Sequence, residues 1–363
     1  MYKFRGVAYH APPAAGDLDG YVSRLRLSEV EAFVRELSKR REVWTVRVVS
    51  TPLEDAVRAL GVSAEKYVEE FYEAARRVSG YVAFPLTKPL AELIVDLVAS
   101  FDRAYFSVPY AEDWEGEIIS VLRQLPEKAG WVSASRFAVS FGERPVTAYF
   151  PVTTSEGEGL TLSLLYPSHA ARLLDEGLTL ADAMRETALE AYRLAYEALD
   201  SSGSKLALHG IDLSLSPWDT DSVALLLEKL LDAPLFTPGT FQLLHAVNEA
   251  LTILASSLHA PGFNEVMLPL AEDARLKELS SVGHLRFRDL LAVTPACVAG
   301  LDMVPIPSST EDRVLKWVMR DLRAAQKLKK RPLGMRLLLV DAEPGEEVDL
   351  GMFGKTPVLD PLS

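Results

Sequence analysis

Thr294-Pro-Ala-Cys-Val-Ala-Gly-Leu-Asp-Met-Val-Pro-Ile-Pro307 decides how the second half of this chain is read. Apolar residues at helical spacing run up to it and resume beyond it. Proline lacks the amide hydrogen and clashes with the preceding turn, so Pro295, Pro305 and Pro307 rule out one helix through the stretch. The expectation is a loop between two helices, Phe287–Ala292 and Thr310–Lys329. It would carry the only cysteine, Cys297, with Gly300 and the carboxylate of Asp302, to the mouth of a pocket.

Working outward, Leu27–Arg41, Ser63–Val78, Pro89–Ser100 and Gly116–Leu125 have the apolar spacing of helices, Ser28 and Ser63 being candidate caps. Val43–Val49, Gly80–Phe84 and Ala104–Val108 between them read as strands. This alternation predicts an α/β architecture with an at least partly parallel sheet. Further on, Trp131–Phe141 and Val146–Phe150 read as strands around a hairpin-like turn, Gly142–Pro145. Leu160–Tyr166, Leu206–Leu215 and Met335–Val340 also read as strands, Leu180–Leu199 as a long helix, and Pro261–Leu270 as holding a short strand. Ser201-Ser-Gly-Ser204 is a turn rather than a linker. The chain is therefore expected to be one α/β domain over 1–363, with an N-terminal half (1–200), a second half (201–343) and a surface extension (344–363).

A formal net charge of −13 over 363 residues argues against nucleic acid and anionic membrane as partners, since both need a basic face. The cationic run Lys316–Arg331 recurs around a helix and is expected to face water. One cysteine excludes an internal disulfide and a multi-cysteine metal site. The start, Met-Tyr-Lys-Phe-Arg-Gly, has no apolar signal core, and no apolar run approaches the roughly 20 residues of a membrane span. A cytoplasmic protein is expected. The scarcity of thermolabile amides, with two asparagines and three glutamines, points to a thermophile. The sequence contains no Gly-x-Gly-x-x-Gly, phosphate loop, His-Glu-x-x-His or Gly-x-Ser-x-Gly motif.

Four constellations remain. In His209-Gly-Ile-Asp-Leu-Ser-Leu-Ser-Pro217, strand alternation puts Asp212, Ser214 and Ser216 on one face and Ile211, Leu213 and Leu215 on the other. The polar row either lines a cavity, with His209 as an acid–base group beside it, or finds structural partners and caps the following helix at Asp221-Ser-Val223. Gly239 and Thr240 either bring backbone close to a ligand or cap a helix. Glu272 and Asp273, with Asp212 and Asp302, either hold a hard cation such as Mg²⁺ or are ordinary acids of a first helical turn. Cys297 is either a nucleophile or radical carrier, or a core residue.

Gly210–Pro217, Asp221–Val223, Pro238–Thr240, Pro269–Asp273 and Cys297–Pro307 occur in that order, and together they resemble domain-of-unknown-function family 711. From about Leu206 to Val340 the chain resembles that family, whose fold is related to pyruvate formate-lyase. The resemblance implies a ten-stranded α/β barrel of the glycyl-radical-enzyme type, helices outside, with Thr294–Pro307 as a finger loop entering it. It implies no activity. Two departures sit near the implied pocket. Pro307–Thr310 lacks the acid more usual before the threonine, and the glycine-rich stretch before the acidic motif is reduced to Pro261-Gly-Phe-Asn264. Arg77-Val-Ser-Gly-Tyr81 matches the Arg-Val-x-Gly-Tyr signature of glycyl radical enzymes, but at the opposite end of the chain, where glycine after a helix is an ordinary cap.

The expected function is therefore the handling of a small polar or anionic metabolite in a barrel pocket, by an enzyme or by a non-catalytic binding protein on an enzyme-like fold. Asp212 and Asp302 are the expected acid–base or metal groups and Cys297 the nucleophile. His209, Ser214, Ser216, Gly239, Thr240, Glu272 and Asp273 are the expected ligand contacts. The pattern names no cofactor and no particular metal, and it is compatible with a homo-oligomer.

Overall fold

The computed structural model describes residues 1–298 and 301–363. Ala299 and Gly300, within the expected finger loop, lie outside the described residues. The strands are β1 (Lys3–His10), β2 (Val43–Val49), β3 (Tyr81–Pro85), β4 (Ala104–Pro109), β5 (Phe137–Phe141), β6 (Gly159–Leu165), β7 (Leu208–Asp212), β8 (Val304–Pro307), β9 (Leu333–Met335), β10 (Leu337–Val340), β11 (Glu347–Asp349) and β12 (Lys355–Pro357). Eight of them form the central sheet in the order β7-β6-β1-β2-β3-β4-β5-β9. Its pairings are parallel except β6 with β1 and β5 with β9. The α/β architecture with a mostly parallel sheet is thus present.

Parallel neighbours need long crossovers, and helices supply them. α1 (Leu18–Ser23) and α2 (Leu27–Ser38) connect β1 to β2, and α3 (Leu53–Leu60) and α4 (Ala64–Ala75) connect β2 to β3. α5 (Ala91–Ser100) and α6 (Glu115–Ala129) make the next two crossovers. Later come α7 (Pro167–Asp175), α8 (Leu180–Ser202), α9 (Val223–Leu231), α10 (Thr240–Leu258), α11 (Ala274–Ser281), α12 (Phe287–Val293) and α13 (Asp312–Lys329). Ser63 accepts from the Lys66 amide and caps α4, whereas α2 starts without a side-chain cap. Among the described residues no helix is long and apolar enough to cross a membrane.

Strand alternation divides the sheet into two unlike faces. Val48, Val82, Phe84, Phe106, Val108, Phe137 and Val139 belong to the large apolar core. Helix residues such as Phe71 of α4, whose ring is 5.7 Å from Phe84, pack on that face. The intervening residues are different: Thr45, Arg47, Tyr81, Tyr105 and Ala138 line a cavity.

Several local expectations are corrected. β1, which the sequence reading lacks, lies inside the sheet between β6 and β2. Val146–Phe150 is not a strand; β5 already has β4 on one edge and β9 on the other, which leaves no edge for a hairpin partner. Trp131–Arg136 is a short 3-10 helix. The close of the proline-rich stretch is not loop, because β8 pairs in parallel with β10. The cationic helix does not present all its charges to water: the Lys329 ammonium is buried against Glu265 at 2.6 Å, and Arg331 holds the other oxygen at 3.0 Å. The tail, 344–363, is largely at the surface, as expected; within it the β11–β12 hairpin buries Val348, Leu350, Val358 and Leu359, and Met352 and Phe353 reach the cavity.

Candidate functional site

The cavity lies at the amino ends of β1 to β5 and encloses about 920 Å³ of empty space, its open mouth included. β6 runs antiparallel to β1, so the carboxyl ends of β6 and β7 arrive at the same end. Ser216, Trp218, Phe263, Met267, Glu272 and Asp302 come from that half of the chain. Met352, exposed, marks the mouth together with Trp218 and Phe353, whose rings are 5.5 Å apart.

Three buried arginines and two acids face one another here. Arg5 pairs with Glu272 and also donates to the Pro217 carbonyl. Its guanidinium lies 5.5 to 5.9 Å from the rings of Trp44, Trp218 and Tyr149, and its Nε is buried without a hydrogen-bond partner among the described residues. Arg336, just after β9, donates to the other Glu272 oxygen at 2.9 Å and to both Asp302 oxygens, one at 2.7 Å. Burial alone would raise the Glu272 carboxyl, but Arg5 and Arg336 outweigh it and hold the group below its ordinary value. At Asp302 burial prevails, and the carboxyl sits above its ordinary value despite Arg336.

Arg47 is different. Its Nε donates to Thr45 Oγ1 at 3.0 Å and its Nη1 to the Ala148 carbonyl at 2.6 Å. Both acceptors are neutral, and among the described residues Arg47 has no acid partner. Burial, with the nearby charge of Arg5, pushes the guanidinium down to about 10. The local sequence makes room for it: Ala8 and Tyr81 lie opposite Arg47 on the flanking strands, and a Cβ on Gly6 would stand 3.2 Å from its Nε. The Arg47 guanidinium also lies 5.1 Å from the Phe150 ring.

Of the residues expected from sequence, the structure brings Asp302, Glu272 and Ser216 to the cavity. Ser216 Oγ is 2.9 Å from the Tyr149 hydroxyl. Asp212 stands behind the wall. Its Oδ1 accepts from Ser214 Oγ (2.6 Å) and the amides of Ser214 and Asn264, both at 3.1 Å. Its Oδ2 accepts from Thr147 Oγ1 (2.6 Å) and the Phe263 amide (2.9 Å). Gly262, at φ +97°, is needed there because a Cβ would overlap the Asp212 carboxylate. Ser214 is thereby occupied as well.

The remaining expected residues lie off the cavity. Asp273 caps α11 and accepts from Ser222 Oγ and the Ala224 amide. Gly239 caps α10 with Thr240 buried behind it, and the His209 ring is 6.1 Å from that of His10. Cys297 is buried in the apolar core, and its neighbour Val298 is the one on the cavity wall. Among the described residues no group of three or more His, Cys, Asp or Glu is arranged to hold a metal.

Arg5, Arg47 and Arg336 were missed in the sequence, although a signal existed. A charged residue set in a strand among β-branched and apolar neighbours, as in Trp44-Thr-Val-Arg-Val-Val49, is rarely buried without a partner.

Comparison with known proteins finds that the family described as Uncharacterised ACR (DUF711) matches residues 28–351. The match therefore includes most of the N-terminal half. A UPF0210 protein of Halothermothrix orenii is 31% identical over 191 residues, which is 50% of this chain and 42% of that protein. UPF0210 proteins of Pyrobaculum arsenaticum (32% over 193 residues) and Methanopyrus kandleri (29% over 191) align over the same shares of each chain. The aligned part of this chain thus spans less than half the length of these relatives.

Proposed function

This chain belongs to the DUF711 family, described as uncharacterised, and from that premise we propose that its cavity is the binding site for a small anionic metabolite. The observation that carries the reading is Arg47, a buried guanidinium on the cavity wall with no acid paired to it among the described residues. A buried charge costs several kcal/mol unless it is compensated, and a site that tolerates one is a candidate for ligand binding. Asp302 is the acid–base candidate: it lines the cavity and burial raises its carboxyl.

A barrel belongs to the same proposal. Beyond the edge strands β7 and β9, the Leu215 amide donates to the Glu265 carbonyl, the Met267 amide to Leu215, the Val298 amide to Val266 and the Gly334 amide to Val298. These bonds link one sheet edge to the other through two short segments that would be the ninth and tenth staves. Hydrogen exchange tests this: the amides of Met267, Val298 and Gly334 should be protected like those of β2 and β3. Exchange at surface-loop rates would refute closure.

The test of function is thermal shift of the intact protein with metabolite sets sorted by charge, followed by turnover assays on the hits. Stabilisation by the neutral or cationic sets alone would sink the reading. A non-catalytic role is favoured by one observation, that Arg336 engages both lining acids. Asp302→Asn separates the alternatives. Lost turnover with binding retained marks an acid–base group; binding without turnover in the parent marks a binding protein.

A further inference from the structure

The charges of the cavity can be counted, and the count limits what the cavity takes. Arg5 is matched by Glu272, and Arg336 by Asp302. Arg47 is left over, so the lining carries one net positive charge. A ligand with one negative charge neutralises the site, whereas a phosphate monoester, at nearly two negative charges near neutral pH, would leave a buried excess.

The shape of the unused edge agrees. Nε and one Nη1 hydrogen of Arg47 are spent on Thr45 and Ala148. The rest of the Nη1/Nη2 fork remains, an edge that receives the oxygens of an oxyanion end-on, carboxylate and phosphate alike, so the charge count is what separates the two. Tyr81 stands directly across from Arg47 on β3, with Tyr105 5.6 Å from it, ring to ring. Towards the mouth the wall is aromatic, with the Trp44 ring 4.5 Å from that of Trp218, and Met267 also lines the cavity.

We propose that the cavity binds a monocarboxylate with a ring-sized apolar body, its carboxylate on the free edge of Arg47 beside Tyr81 and Tyr105 and its body toward Trp44 and Trp218. This rests on the anionic-ligand reading above and narrows it to one chemical class.

The experiment compares phenylacetate, phenyl phosphate and phenylacetamide by calorimetric titration and thermal shift on the full chain at pH 7.5. The proteins are the parent, Arg47→Met, Arg47→Lys and Tyr105→Phe, each checked for native circular dichroism. Phenylacetate is expected to bind at least about tenfold more tightly than phenyl phosphate or phenylacetamide, that is, by about 1.4 kcal/mol. Arg47→Met should abolish the preference, and Arg47→Lys should retain part of it. Tyr105→Phe, which keeps the ring, gives a smaller loss and serves as the readout if Arg47→Met does not fold.

Tighter binding of phenyl phosphate overturns the monocarboxylate assignment and leaves the anion site standing. Equal binding of phenylacetamide, or no binding of any probe at millimolar concentration, overturns both. Phenylacetate binding unaffected by Arg47→Met places the ligand elsewhere and overturns the proposal.

Discussion

Asp212 and Arg47 are both buried charges on strands of one sheet, and they are opposites in more than sign. Asp212 has five donors on two oxygens, all neutral, drawn from three separate segments. Its bonding capacity is used up, and it pins the 261–264 turn and Thr147 to the end of β7. Arg47 uses two bonds and has donors to spare on the cavity side. A satisfied buried charge holds the fold together. A buried charge on a cavity wall with only neutral acceptors is an invitation to an anionic ligand, and it carries a standing cost until the ligand arrives.

The largest test of this contrast is Asp212→Ala. It strands five donors in the interior and should destabilise the protein by roughly 3–5 kcal/mol in urea unfolding, whether or not a ligand is present. A loss below about 1 kcal/mol would mean the lock carries no weight.

Glu272→Gln comes next. Removing the charge between Arg5 and Arg336 should cost roughly 2–4 kcal/mol and leave the cavity with two surplus positive charges, so phenyl phosphate should gain on phenylacetate. The same residue sets an acid dependence. Its folded carboxyl is held below the ordinary 4.5, so its contribution is present above that pH and is lost as pH falls through the lower, folded value. Acid titration of stability should be shallower in Glu272→Gln; an unchanged slope would put the dependence elsewhere.

Arg47→Met should act in the other direction. Relieving the buried guanidinium should stabilise the unliganded protein by roughly 1–3 kcal/mol, seen as a higher melting temperature, while anion binding is lost. A destabilised variant would show that Arg47 belongs with Asp212 as a structural charge. The smallest effect is at high pH. Burial lowers Arg47 to about 10, so its cost to the fold is present below that pH and is relieved as pH rises through it. Anion affinity, which needs the charged guanidinium, should persist from roughly pH 7 to pH 9, and its loss within that range would contradict the assignment.

How much was legible beforehand follows the same division. Asp212, Ser214 and Ser216 were visible as a polar row because strand alternation puts them on one side, and the row did acquire partners. Which of them would reach the cavity was not visible. Ser214 turns to Asp212, while Ser216 turns to Tyr149. Cys297 drew attention as the only thiol, yet an apolar neighbourhood is ordinary for cysteine and the core took it. β1 went unread because Lys3-Phe-Arg-Gly-Val-Ala-Tyr-His10 has lysine, arginine and glycine where a central strand usually has branched apolar residues. Those exceptions are the ones that make the site: Arg5 lines it, and Gly6 leaves space for Arg47.

By itself, the sequence determined the alternation of helix and strand, the two-faced pattern of the strands, and local devices such as the Ser63 cap. These depend on neighbours within a few residues, where backbone geometry decides which side chains share a face. Tertiary structure alone decided that Arg5, Arg47, Glu272, Asp302 and Arg336 meet, which of them pair, and which is left over. Charge balance in a cavity is a property of groups brought together across most of the chain, and the strength of each pairing depends on the burial that only the completed fold provides.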